Sequence, residues 1–300
     1  MKLRCRALSP MVLAAAPLAV AVLLGQRPPS PQTPIFRANV DVVRVDVLAT
    51  DKGKPIAGLA ATDFEVRDNG VLQTVDLATL ADHLSLVIAL DVQRNPWIDA
   101  NAELIRASEV LADALKPADR AWLIMFAERF DLKVGPTSNP SRIRQLLELA
   151  PLERGKFLWD TLFASVSLVA GLDGRAVVFV FSDGQESAFK SGWLDEDHAI
   201  DALKRGEVAV SAVQPRSVVA SPTALERAAR ATGGTVIEAA RNPRLADQFT
   251  TLLNEFRLGY VLTFTPRGVT RDDGWHKLSV KLRNRSGNTR AREGYYSGML

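Results

Sequence analysis

Two aspartates stand where this chain could do chemistry. Asp91 closes the apolar run Leu84-Ser85-Leu86-Val87-Ile88-Ala89-Leu90, and Asp183 follows Val177-Val178-Phe179-Val180-Phe181-Ser182. Each carboxylate ends a short apolar run without alternation, the pattern of a strand buried on both faces of a parallel sheet. Such sheets present their working groups just past the carboxyl ends of their strands. Two carboxylates on one rim suggest a cation site, or the remains of one.

Other chemistries have less support. His83, His198 and His276 are scattered, and the only cysteine is Cys5, so the sequence holds no zinc constellation. His83 precedes a strand and His276 lies in a β segment, where ordinary surface roles are expected. The sequence has neither a Gly-x-Ser-x-Gly nucleophile elbow nor a glycine-rich phosphate loop. Ser182 has no histidine placed to serve as its base. Trp97, Phe189 and Trp193 fall in segments expected near the rim, either as exposed anchors for a partner or as caps on the core beneath the loops. Gln185, Glu186 and Lys190 would give a binding face a polar border.

The elements that must position these groups follow from periodicity. Residues 36–82 alternate, with Val40, Val42, Val45 and Val47 against Asp41, Arg44 and Asp46, then a strand and tight hairpin over Asp63–Val71 and a further strand over Gln73–Leu80. From Leu84 the pattern becomes α/β. Helices are expected at Trp97–Leu115, Ser141–Leu149 (entered through Asn139-Pro140), Leu158–Ala170, Glu196–Arg205, Ala224–Thr232 and Asn242–Arg257. Leu162, Phe163, Val166 and Val169 are expected to face inward from the third. Strands are expected at Arg120–Ala127, Phe130–Val134, Arg175–Phe181, Val208–Val213 and Gly233–Ile237, which makes a doubly wound sheet. Tyr260–Thr265, His276–Leu282 and Asn288–Tyr295 return to alternation. Neither β end has enough strands to bury a core alone, so one sandwich built from both ends is the economical arrangement.

The first residues read as an export leader. Lys2, Arg4 and Arg6 precede an apolar run over Met11–Gly25, with Ala19-Val20-Ala21 as a small-residue cleavage site. An uncleaved anchor is the alternative, since the run approaches the roughly 20 residues that span a bilayer, but Pro10 and Pro17 weaken it. Four prolines in residues 26–35 make an extended linker. The formal charge of +3 falls to zero when the three leader cations are removed. A neutral chain lacking a basic patch with interleaved aromatics argues against nucleic acid as partner.

The landmarks Leu84–Asp91, Gly155-Lys156-Phe157-Leu158-Trp159-Asp160-Thr161-Leu162 and Val178-Phe179-Val180-Phe181-Ser182-Asp183-Gly184 resemble, in this order and spacing, those of a von Willebrand factor A domain. The segments Val66–Gln73, Leu258-Gly259-Tyr260 and Arg292-Glu293-Gly294-Tyr295-Tyr296 are similar to the VWFA-related family of secreted acidobacterial-type proteins. The resemblance covers nearly all of residues 36–298. It implies a metal-ion-dependent adhesion site (MIDAS) of the form Asp-x-Ser-x-Ser, a Thr and a final Asp, in which small hydroxyls and carboxylates surround an octahedral magnesium. Asp91 and Asp183 match the two aspartates. Gln93 and Asn95 stand in place of the serines, and Lys156 in place of the threonine. A protonated lysine has no lone pair for a metal, so Lys156 is expected to act as an internal cation between Asp91 and Asp183. No cofactor is expected on this reading; a weakly held magnesium or other divalent cation is the alternative.

The organisation expected is a leader over residues 1–25, a linker over 26–35, a β segment over 36–82, a von Willebrand A-like α/β domain over 83–257, and a β segment over 258–298 that packs with the first. The function expected is exported, periplasmic or extracellular protein recognition without catalysis. It would run through the rim of Asp91, Gln93, Asn95, Lys156 and Asp183, bordered by Trp97, Gln185, Glu186, Phe189 and Trp193. The partner is an unidentified protein rather than nucleic acid, with a membrane involved only through an uncleaved leader. A scaffold module with an inert rim, binding by strand addition at sandwich edges, is the second class. A carboxylate-pair hydrolase is the third, disfavoured because a lysine beside the pair depresses the raised pKa its acid needs.

Overall fold

The computed structural model describes residues 42–80, 83–93, 100–150, 153–186, 192–215, 224–239, 244–270 and 274–297. The leader and linker, and Asn95, Trp97, Phe189 and Lys190 of the expected rim, lie outside them. In chain order the elements begin with β1 (Val43–Asp51), β2 (Lys54–Pro55), β3 (Phe64–Asp68), β4 (Val71–Gln73) and β5 (Leu77–Leu80). The α/β part follows as β6 (Leu84–Asp91), α1 (Ala100–Asp113), β7 (Arg120–Phe126), β8 (Phe130–Thr137), α2 (Pro140–Glu148), α3 (Leu158–Val169) and β9 (Arg175–Phe181). It continues through α4 (Glu196–Arg205), β10 (Ala209–Gln214), α5 (Ala224–Thr232), β11 (Val236–Glu238) and α6 (Leu245–Arg257). The chain closes with β12 (Tyr260–Phe264), β13 (Trp275–Leu282), β14 (Asn288–Ala291) and β15 (Gly294–Tyr296).

The fold is α/β. Its central sheet has the order β11-β10-β9-β6-β7-β8, parallel except for the antiparallel edge β8. This is the doubly wound, von Willebrand A-like arrangement that the resemblance implies. Every residue of β6 is buried, because both faces of the strand carry helices. Leu86, Ile88 and Leu90 face the cluster holding Leu104 and Leu111 of α1, Ile143 of α2 and Phe249 of α6. Val87 and Ala89 face the opposite cluster, with Leu158 and Leu162 of α3, Leu203 of α4 and Leu225 of α5.

The inward face of α3 differs from expectation at one position. Leu162, Val166 and Val169 are buried, but Phe163 is 45% exposed. Leu158, Leu162, Val166 and Val169 repeat at three- and four-residue spacing, and Phe163 lies one step, about 100°, off that stripe.

The two ends of the chain build two antiparallel sheets. One runs β14-β1-β12-β5, with β2 added to β1; the other runs β15-β13-β3-β4. Val45, Val47, Phe64, Val66, Leu262, Phe264 and Tyr295 share one core between them. The β3–β4 turn places Asn69 and Gly70 at φ 47° and 84°, the left-handed pair that a two-residue hairpin needs. Two expected strands are each divided. Gln73–Leu80 breaks into the end of β4 and β5, and Asn288–Tyr295 into β14 and β15, with the halves in different sheets. Gly294 allows the second transfer, since a Cβ there would lie 2.2 Å from the His276 carbonyl oxygen.

Within this core His276 corrects the surface role expected of it. It is 1% exposed, its Nδ1 is 2.8 Å from Asp68 Oδ1, and the Tyr295 hydroxyl donates to Asp68 Oδ2 at 2.7 Å. Asp68 thus ties β3 to β13 and β15. Asp68→Ala, which removes an acceptor shared by two buried groups, is expected to cost about 2 kcal/mol in urea denaturation, with Asp68→Asn costing less. Equal stability of Asp68→Ala and wild type would show that the cluster contributes nothing.

Candidate functional site

The polar rim forms where the winding of the sheet reverses. From β6 the chain runs outward through β7 to β8, and from β9 it runs the other way through β10 to β11, so the crevice between β6 and β9 is the switch point at which open α/β sheets bind ligands. Leu90 is paired with Phe181, so Asp91 comes to lie beside Ser182, whose hydroxyl donates to Asp91 Oδ2 at 2.8 Å. The backbone N–H of Gln93 donates to Asp91 Oδ1 at 2.9 Å, and that of Gln185 to Asp183 Oδ1 at 3.0 Å.

Lys156 reaches this crevice from the loop before α3. The loop is tied at both ends: Glu153 N donates to Val92 O at 3.0 Å, and Phe157 N to Ala127 O at 2.8 Å. Gly155 turns it at φ 77°, packed closely enough that a Cβ would sit 3.1 Å from Glu128 Cβ. The Lys156 ammonium lies 2.6 Å from Asp91 Oδ2 and 2.5 Å from Asp183 Oδ1. Lys156 is 1% exposed and Asp91 3%. Lys156 thus stands between the two strand-end aspartates, and Ser182, which the sequence reading did not single out as a donor to Asp91, was signalled by its position directly after β9 and before Asp183.

The charges in this cluster support one another. Burial by itself would lower the Lys156 pKa, but Asp91 and Asp183 outweigh it and hold the ammonium above the ordinary lysine value. Burial pushes the Asp91 carboxyl up, against the pull of Lys156, the Gln93 N–H and Ser182. A lysine whose folded pKa is raised contributes stability that is complete below its unfolded pKa and lost as pH rises through the folded one. The stability gap between wild type and Lys156→Met is therefore expected to hold from neutrality to roughly pH 9 and to narrow above the unperturbed lysine value of about 10.4. Urea midpoints across that range measure it, and a gap that widens with pH would contradict the protonated lysine.

The cluster does not suit a divalent cation. An ion between Asp91 and Asp183 would have to occupy the place of an ammonium already hydrogen-bonded to both carboxylates. Among the described residues there is no group of three or more His, Cys, Asp or Glu side chains that could hold a metal. Gln93 presents its backbone to Asp91 and pairs with Glu153 as an isolated parallel bridge.

The border residues take definite roles. Glu186 Oε2 accepts from the N–H groups of Leu158 at 2.8 Å and Trp159 at 3.4 Å, so it caps α3 from outside the helix. Burial raises its pKa, opposed by those two N–H groups, with the like charge of Asp160 adding to the rise. Asp160 grips the opposite loop: Oδ2 accepts from Trp193 N at 3.0 Å and Oδ1 from Leu194 N at 3.1 Å. Trp193 is 99% exposed, which excludes the core-capping role. Gln185 is exposed, and its contact with the cluster is the backbone N–H that it donates to Asp183. Asp160 was not singled out for this role, although an acid in the first turn of α3 was visible.

No family model and no curated protein matches the chain. Similar solved structures include an aerotolerance-related membrane protein from Bacteroides fragilis, at 15% identity and a TM-score of 0.46, matching 58% of this chain and 98% of that one. Proximal thread matrix protein 1 from the mussel byssus, with a zinc-occupied MIDAS motif, has 14% identity and a TM-score of 0.48. That match spans 63% of this chain but 49% of the mussel protein. The SpRpn10 VWA domain matches at 10% identity and a TM-score of 0.43, over 57% of this chain and 94% of that domain. These are likenesses of overall form; what the rim does is argued from its own residues.

Proposed function

We propose that this chain is an exported, non-enzymatic protein-recognition module that works through the rim of its α/β sheet, with Lys156 as a tethered cation in the place a von Willebrand A-like site gives to a divalent ion. The observation that carries this reading is the buried ammonium of Lys156 bound to both Asp91 and Asp183. A mobile metal ion can be lost or exchanged, and a partner's carboxylate can complete its coordination sphere. A lysine already saturated by two carboxylates does neither. It holds the two strand ends together permanently, and recognition passes to the groups around it. Export, to the periplasm or beyond the cell, is part of the proposal and rests on the basic-then-apolar leader. The absence of catalysis rests on Lys156, whose proximity opposes the use of either aspartate as a general acid.

Calorimetric titration of magnesium and manganese into wild type and into a Gln93→Ser, Asn95→Ser, Lys156→Thr variant tests the reading. No heat from wild type and saturable binding by the variant are expected. Wild-type binding below millimolar concentration would overturn the tethered cation.

A further inference from the structure

We propose that the rim recognises a cationic protein segment, an arginine- or lysine-bearing stretch that docks over the Trp193 indole. This deepens the rim-recognition reading and rests on it. The first observation is a fully exposed aromatic on a fixed backbone. Trp193 is 99% exposed, yet the Asp160 carboxylate takes the backbone N–H of Trp193 with one oxygen and that of Leu194 with the other. Leu194 packs against the core beneath α3 and α4. On the other side, Gly192 lies so close to Asp160 that a Cβ would fall 1.9 Å from Oδ2, so only glycine lets the loop approach. The chain thus orders the backbone of this residue without burying its side chain. An aromatic presented in that way loses little further freedom on binding, which is the condition for an effective anchor.

The second observation is the sign of the surrounding charge. Asp160 holds the loop, and Glu186 lies near enough to interact with it electrostatically. Asp195 caps α4, accepting from His198 N at 2.9 Å, and its bonds to His198 keep its carboxyl below the ordinary range. Asp197 is exposed in the same first turn. The nearby cation Arg227 is engaged by Glu196. Lys156, 1% exposed and bonded to two carboxylates, offers no outward charge. Among the described residues the exposed charges flanking Trp193 at the start of α4 include the carboxylates of Asp195 and Asp197.

An indole face attracts a guanidinium or ammonium through its quadrupole, and carboxylates beside it add charge-assisted hydrogen bonds. An acidic segment, the natural ligand of a rim that carries an accessible metal ion, would meet these carboxylates, while among the described residues Lys156 and Arg227 are already engaged by acids of the chain. Replacing the ion with a buried lysine therefore reverses the charge of the partner that the rim can accept.

Fluorescence anisotropy with the full chain tests this, using two labelled probes of equal length, a Gly-Arg repeat peptide and a Gly-Glu repeat peptide. The Arg probe is expected to bind and to weaken as salt rises, while the Glu probe does not bind. Trp193→Ala is expected to weaken the Arg probe by about tenfold. The paired surface change Asp195→Asn, Asp197→Asn, which leaves the Trp193 backbone clamp intact, is expected to flatten the salt dependence. Unchanged Arg binding in Trp193→Ala overturns the proposal, as does failure of the Arg probe to bind. A Glu probe that binds wild type and is lost in Trp193→Ala would keep the rim as the recognition surface and overturn only the cationic class. The magnesium titration is read independently of both probes, so failure of the tethered-cation reading is seen separately.

Discussion

Lys156→Met is expected to destabilise the chain by about 3–5 kcal/mol, the range seen when one member of a buried charge pair is removed. Methionine fills much the same volume, so lost packing is a minor part of the effect. What remains is two carboxylates at the switch point with no cation between them, one of them on a strand buried along its whole length. Asp91 keeps the Gln93 N–H and Ser182, and Asp183 keeps the Gln185 N–H, but neutral donors do not offset like-charge repulsion. Lys156→Met combined with Asp183→Asn should recover part of the loss. Chemical denaturation of the three proteins measures both quantities. If Lys156→Met alone unfolds at the wild-type midpoint, Lys156 is not the electrostatic centre of the rim.

Asp119→Ala is expected to produce a loss of the same order, about 3–5 kcal/mol, at the opposite end of the sheet. Asp119 is 2% exposed and receives the Arg257 guanidinium, itself 8% exposed. Its Oδ1 also accepts from Leu84 N at 3.1 Å, and its Oδ2 from Lys116 N at 2.8 Å. One carboxylate therefore fixes the first residue of β6, the turn after α1 and the last turn of α6. Its removal leaves a buried guanidinium without its counter-charge and frees the start of the strand whose far end carries Asp91. The double variant Asp119→Ala, Arg257→Met is expected to be more stable than Asp119→Ala alone, because no buried charge is stranded. A double variant no more stable than the single one would assign the loss to the backbone bonds instead.

The parts of this structure written in local patterns were readable from sequence. The apolar runs of β6 and β9 named both strands and the aspartates at their carboxyl ends, Asp91 as the last residue of β6 and Asp183 two residues beyond β9. The spacing of α4 and α5 gave their observed bounds, Glu196–Arg205 and Ala224–Thr232. Patterns that depend on a distant partner were not readable. The chain changes sheets between Gln73 and Leu77 and between Ala291 and Gly294, and which sheet each half joins is set by its remote partners rather than by the local pattern. The burial of His276 depends on Asp68, 208 residues away. Lys156 was placed by likeness of motif, since a lone lysine in a loop otherwise reads as solvated. The Asp160 clamp on Trp193 joins residues 33 apart through backbone groups that carry no sequence signal.

The strand nearest the start of the described chain, β1, lies between two strands from its end. Val43–Val47 pairs with Tyr260–Phe264, and Val47–Thr50 with Asn288–Ala291. During synthesis β1 therefore has only the two-residue β2 as a partner until residues 260–291 have been made. Contacts between such remote segments close slowly, and an amphipathic strand kept waiting is open to wrong pairing. The α/β part, whose strands mostly pair with near neighbours, can form first and bring the two ends together. Order of assembly thus runs from the middle outward, and removing even a few residues from the C-terminal strands would leave the beginning of the chain without its partners.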